Sequence, residues 1–187
     1  MTRLLKFAAA AAALALPTAA AAQGSDPVMA EFQKICWAPG GDYMSTLGAA
    51  TSDNWVETQV VADNDPALSI TDKAARIKSV GGLDLTLLVT RGLRHTSSGE
   101  VKTLSCKLTV NKADAGLIGE SLAWLGGVAP DSGDKTSSVY FVGMGGAKPN
   151  HVGQAGVQAA MNAGGFGVLK FQVDDSDAIL VYQVYAK

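Results

Sequence analysis

The sequence predicts an α+β domain: about five mainly antiparallel strands, in two hairpins plus a central strand, with N-terminal and connecting helices packed on one face. Three observations carry that prediction. Residues 83–110 alternate apolar and polar positions through two consecutive runs, and residues 168–185 do so again around an Asp-rich turn. Other segments space their apolar residues three and four apart, the helical period.

The residues before the domain read as a secretory signal. Arg3 and Lys6 precede an apolar run from Phe7 to Leu16, the breaker Pro17 follows, and Ala20-Ala21-Ala22 offers an A-x-A site. Cleavage is expected between Ala22 and Gln23. The run is about half of the roughly 20 apolar residues that span a bilayer. No cysteine stands at the cleavage point to carry a lipid. The expectation is a signal over 1–22, no stable membrane anchor after cleavage, and a single soluble domain over 23–187, periplasmic or secreted.

Removing 22 of the 187 residues leaves 165. Two of the 15 Lys+Arg lie in the leader, so 13 remain against 17 Asp+Glu, a net of −4. With no Lys/Arg cluster to displace counterions, nucleic acid is not an expected partner. Cys36 and Cys106 are the two cysteines. In an oxidising compartment an even pair is expected to be bridged.

Taken in order, Met29, Phe32, Ile35 and Cys36 share one face of a helix over 27–37, which Pro39-Gly40-Gly41 stops. Asp42 is placed to cap a second helix through about Ala50, with Met44, Leu47 and Ala50 on its buried side. The β-branched run from Trp55 admits helix or strand. Asp65-Pro66 predicts a further helix start, continued by Ile70, Ala74 and Ile77 toward Gly81-Gly82.

Leu83, Leu85, Leu87, Val89 and Leu93, interrupted by Arg91, then face Leu104, Cys106, Leu108 and Val110 across Ser97-Ser98-Gly99. Period two on both sides predicts a long hairpin with one covered face, Cys106 pointing inward. Leu117, Ile118, Leu122 and Leu125 mark a helix ended by Gly126-Gly127. Residues 129–136 read as a polar loop and 138–144 as a strand. Asn150 is placed to cap an alanine-rich helix to about Ala163, and 168–173 with 178–185 form the last hairpin.

Few residues assemble into a chemical signature. Ser132-Gly-Asp-Lys135 and Ser52-Asp53-Asn54 match S-x-x-K and S-D-N of serine acyl enzymes, but in reversed order and without K-T-G. Gly119-Glu-Ser121 misses the nucleophile elbow at Ala123, which leaves Ser121 as a surface hydroxyl. Gly143-Met-Gly145-Gly146 fits neither glycine-rich phosphate pattern, and a tight turn explains it. With two histidines, His95 and His151, in separate loops, no metal is expected. Asp63-Asn-Asp65 lacks the glycine and glutamate of a calcium loop. Asp174, Asp175 and Asp177 read as an exposed hairpin tip.

Arg91, Arg94 and His95, with Lys102 opposite, form a small basic spot. It could dock an anion or simply blunt the hairpin against edge pairing. No catalytic residue and no cofactor are therefore predicted. The expected function is a non-catalytic binding or envelope-associated domain whose partner is an envelope protein or a small ligand. The alternative is a small exported hydrolase whose serine only spatial proximity would reveal, with His95 or His151 as its base.

Overall fold

The computed structural model of the chain describes residues 26–60, 68–96, 99–112, 116–174 and 177–187. The predicted signal, with Ala22 and Gln23, lies outside the described residues, as do Asp63, Asp65 and the hairpin-tip residues Ser97 and Ser98.

Asp26 opens α1 (Pro27–Phe32): its Oδ1 accepts from the Val28 and Met29 amides at 2.7 and 3.2 Å, with Pro27 at the first helical position. The helix loosens into a π-helical turn over Gln33–Trp37, where the Ala38 amide reaches back to the Gln33 carbonyl at 2.8 Å. Asp42 caps α2 (Tyr43–Ser52) through the Ser45 amide at 2.7 Å. Of the predicted buried side of α2, Ala50 is buried and Leu47 packs partly buried on the core, but Met44 is 65% exposed and Tyr43 and Thr46 are buried as well.

The remaining elements are β1 (Val56–Thr58), β2 (Leu68–Val80), β3 (Leu83–Thr96), β4 (Gly99–Val110), α3 (Gly116–Trp124), β5 (Ser132–Gly133), β6 (Ser137–Val142), α4 (Gly153–Asn162), β7 (Gly165–Asp174) and β8 (Asp177–Ala186). The strands form one eight-stranded antiparallel sheet in the order β1-β2-β3-β4-β8-β7-β6-β5. Two meanders of four strands thus meet at the β4–β8 seam.

This overturns the expectation of about five strands. The helix predicted from Asp65-Pro66 is instead the strand β2. Ile70, Ala74 and Ile77 sit at helical spacing by coincidence. The strand alternates differently, turning Asp72, Ala74, Arg76, Lys78 and Val80 to one side, and three of these are charged. Their partners come from other segments, so the apolar signature of a strand face is missing. β1 was the undecided Trp55 run, and β5 is two residues within the predicted polar loop. The two predicted hairpins are present as β3–β4 and β7–β8, and the central strand as β6.

One face of the sheet carries the core. Val89, Cys106, Tyr182, Leu169 and Tyr140 lie in register across five strands, flanked by the row Leu87, Leu108, Leu180 and Phe171. All are essentially buried. The first two helical segments and α3 pack on them through edge contacts of Phe32 with Phe171 and with Trp124, and through Trp37 against Tyr182 at 4.9 Å. Cys36 and Cys106 are bonded, their Cα atoms 5.5 Å apart. The bridge ties the π turn to the middle of β4.

A second bond set is ionic. Lys78 of β2 reaches Glu31 at 2.9 Å and Asp53 at 2.7 Å, Lys34 also pairs with Asp53, and the Trp55 indole donates to Glu31. Burial alone would raise the Asp53 pKa, but the two lysines outweigh it and hold that carboxyl well below the usual range.

Candidate functional site

The site follows from an irregularity in β2. The register shifts between Ile70 and Asp72, so Thr71 is an extra residue and the strand changes faces there. Gly92 lies opposite, where a Cβ would stand 2.3 Å from the Ser69 carbonyl oxygen. Only a glycine lets the two backbones approach this closely. The bulge sends Asp72 to the helix-bearing face, beside Arg91 of β3.

Arg91 is the charge that broke the apolar alternation of β3. Its Nε donates to Asp72 Oδ2 at 2.7 Å, and its guanidinium carbon lies 4.8 Å from the centre of the Tyr43 ring. The hydrogen bond to Asp72 raises the Arg91 pKa and lowers that of Asp72. Burial pushes the Tyr43 hydroxyl up, and Asp72 adds to that shift. Among the described residues the two terminal nitrogens of Arg91 have no hydrogen-bond partner.

Arg91 and Tyr43 border a cleft of about 480 Å3 between the start of α2 and the ends of β3, β4 and β8. Leu93, Leu104, Val184 and Ala186 supply its apolar surface, and Lys102 stands at its edge. Gly41 closes one end: a Cβ there would lie 2.5 Å from Val184, and its φ is +83°. Asp42, also in the lining, is committed to capping Ser45. A hollow of about 490 Å3 exists beside β1, but its apolar lining includes Val56 and Ile77, 62% and 44% exposed. It is an open surface rather than a built site.

The basic spot predicted at the hairpin tip is divided by the strand pleat. Arg91 and Lys102 share the cleft, whereas Arg94 lines a hollow of about 230 Å3 that also includes Lys107 and Lys170. His95 bonds Glu100 through Nδ1 at 3.2 Å, and its Nε2 lies 3.3 Å from Ser69 Oγ. Ser69 is the strand partner of Leu93, so this chain of three groups adjoins the cleft. His95 and Glu100 are both more than half exposed.

His151 is held differently. Its Nε2 lies 2.8 Å from Asp131 Oδ2, an oxygen that also accepts from the Phe141 amide at 2.8 Å, while Oδ1 accepts from the Gln154 amide at 3.1 Å. Burial would raise the Asp131 pKa, but these donors prevail and lower it. The helix predicted to be capped by Asn150 starts at Gly153, and its first turn is served by Asp131 from across the chain.

The other motifs stay apart. Ser52-Asp53-Asn54 ends α2 beside β2, while Ser132 lies on β5, the far end of the strand order. Ser121, read as a surface hydroxyl, is fully buried and donates to the Ile118 carbonyl at 2.7 Å. The Gly143–Gly146 turn serves packing, since the Gly146 carbonyl accepts from the Trp37 indole at 3.0 Å. Among the described residues no three His, Cys, Asp or Glu side chains gather as a metal site.

Sequence reasoning singled out Arg91 and Lys102 as a basic spot, open to anion docking or edge protection, and did not single out Tyr43, Asp72, Val184 and Ala186. The one available signal was an arginine at an inward position of an alternating strand. The chain matches no family model, no curated protein and no solved structure.

Proposed function

We propose that the chain is exported to the cell envelope and acts there as a non-catalytic binding domain, holding a small ligand in the cleft beside α2. The observation that carries this reading is the cleft itself: about 480 Å3, floored by Leu93, Leu104, Val184 and Ala186, with an oriented guanidinium at one side. That volume lies within the roughly 300–1,000 Å3 of small-molecule sites, and a few polar groups on an apolar lining is their usual chemistry. Export is supported by the order of residues 1–22 and by the Cys36–Cys106 bond, which cytosolic reductants would oppose. Among the described residues no helix is long and apolar enough to cross a membrane.

The test is native mass spectrometry of the protein recovered from the envelope, beside an Ala186→Trp variant whose indole fills the cleft. A small-molecule adduct should ride on the wild type and be missing from the variant. An adduct retained by the variant, or none on either protein, counts against the reading. The same spectra should place the first residue near Gln23 and the mass two hydrogens below the dithiol form. A retained leader overturns export.

The Ser69–His95–Glu100 contacts favour a second reading, the exported hydrolase. A serine hydroxyl, an imidazole and an orienting carboxylate stand in the order acyl transfer uses. It ranks second because water competes freely for two groups that are more than half exposed. Turnover of a p-nitrophenyl ester that is lost in both Ser69→Ala and His95→Ala would raise it to first. Turnover surviving both changes removes it.

A further inference from the structure

We infer that the ligand of this cleft is a monocarboxylate with a short apolar body, bound head-first against Arg91. The inference rests on the binding reading above and names the chemistry of that same site.

Three features of Arg91 point to a carboxylate. Asp72 takes only Nε, which orients the guanidinium and leaves its two terminal nitrogens unspent among the described residues. The Tyr43 ring, itself buried, backs the group with its centre 4.8 Å from the guanidinium carbon. What remains is the edge carrying two parallel N–H donors, and a carboxylate matches that fork with two oxygens.

Lys102 supplies the second charge. On the sheet Arg91 stands opposite Leu104, and Lys102 is two residues further along β4, so the cations are diagonal neighbours on one face. The leucines paired with them, Leu93 and Leu104, lie between. Val184 and Ala186 extend the apolar strip onto β8, in register with Leu104 and Lys102. A head group at Arg91 therefore lays its hydrocarbon along this strip.

The two acids of the site do not reverse the preference. Asp42 is hydrogen-bonded to Ser45 and Asp72 to Arg91, so a cationic ligand would meet Lys102 and the free guanidinium edge first. They do limit the charge. Two cations against two carboxylates suit a monoanion better than a phosphate dianion.

The probes are hexanoate, hexan-1-ol, hexylamine and hexyl phosphate, titrated into the intact mature protein and followed by amide shifts of Gly41, Gly92, Leu93 and Ala186. Hexanoate should bind at these residues about tenfold more tightly than the alcohol, the worth of one charge-assisted bond pair in a half-exposed site. Hexylamine should not bind there. Arg91→Gln should lose about tenfold, Lys102→Gln about threefold, and Arg94→Gln, on the other face, nothing. Thermal unfolding checks that the variants fold. Should Arg91→Gln fail that check, Arg91→Lys keeps charge and stem, and it should still lose most of the tenfold for want of a fork. Equal binding of hexanoate and hexanol in the cleft, or tighter binding of hexyl phosphate, overturns the carboxylate while leaving the binding reading intact. Shifts confined to other residues, or no binding by any probe, overturn both.

Discussion

The two ends of the helical layer are fastened to the sheet by different chemistry. At the N-terminal end, a disulfide joins the π turn to β4, and Lys78 joins Glu31 of α1 and Asp53 after α2 to β2. At the C-terminal end α4 has no capping side chain of its own and no buried residue. Its polar anchor is Asp131, one carboxylate accepting from two backbone amides and meeting one imidazole. The first attachment is covalent and depends on redox state. The second rests on that carboxylate and on an exposed bond from Lys187 to Asn162 at 3.4 Å. The cleft lies against α2, on the side that the covalent attachment holds. The proposed binding of a ligand at Arg91 needs Tyr43 to stay beside it, and a covalently fastened helical layer serves that.

The largest effect should come from breaking the covalent side. The bridge closes a separation of 70 residues, worth roughly 4 kcal/mol in the chain-entropy model. The double variant Cys36→Ala with Cys106→Ala avoids a stray thiol and should lose most of that in urea unfolding. A midpoint equal to that of the wild type would show that the helices hold without the bridge, and the comparison between the two ends would collapse.

Next comes Asp131. Asp131→Ala removes an acceptor of several charge-assisted bonds from a side chain 10% exposed, and should cost about 2–3 kcal/mol. Amide exchange should rise first at Gln154 and along α4, with β3 and β4 unchanged. The sign of the pH effect follows from the lowered folded pKa. The carboxylate stabilises the fold above its unfolded value of about 3.9, and that contribution is lost as pH falls through the folded value. The wild type should therefore lose stability below about pH 4, and the variant should lose less there. Equal acid sensitivity would mean that Asp131 is not the anchor.

What could be read in the sequence divides differently, by whether a strand's own residues carry an apolar face. The β3–β4 and β7–β8 hairpins were legible because one face of each strand is apolar and touches the core, so period two survives in the residues themselves. β2 was not, because Asp72, Arg76 and Lys78 on its helix-bearing face are matched by Arg91, Glu57, Glu31 and Asp53 from distant segments. Such pairing leaves no local pattern. β1 and β5 are three and two residues long, too short for any period. In the site, Arg91 was visible as a charge in an apolar register. Tyr43 was hidden because its neighbour Met44 was assigned to the buried side of α2 in its place. Asp131 was hidden because its partners include two backbone amides, which have no sequence identity.

The smallest effect should come from Lys78. Burial opposes its charge, but Asp53 and Glu31 outweigh that and raise its pKa, so it is charged throughout the working range. Lys78→Met keeps the stem packed near Trp55 and removes only the ammonium. Asp53 retains Lys34, and Glu31 retains the Trp55 indole, so neither carboxylate is left alone. The loss should be about 1 kcal/mol at low salt and shrink only in part as salt is added, since Lys78 is 20% exposed. A loss at Lys78 clearly larger than that of the cysteine double variant would make the ionic contacts, and not the disulfide, the main fastening of the N-terminal helices. Reduction should then leave the cleft and its Tyr43–Arg91 stack undisturbed.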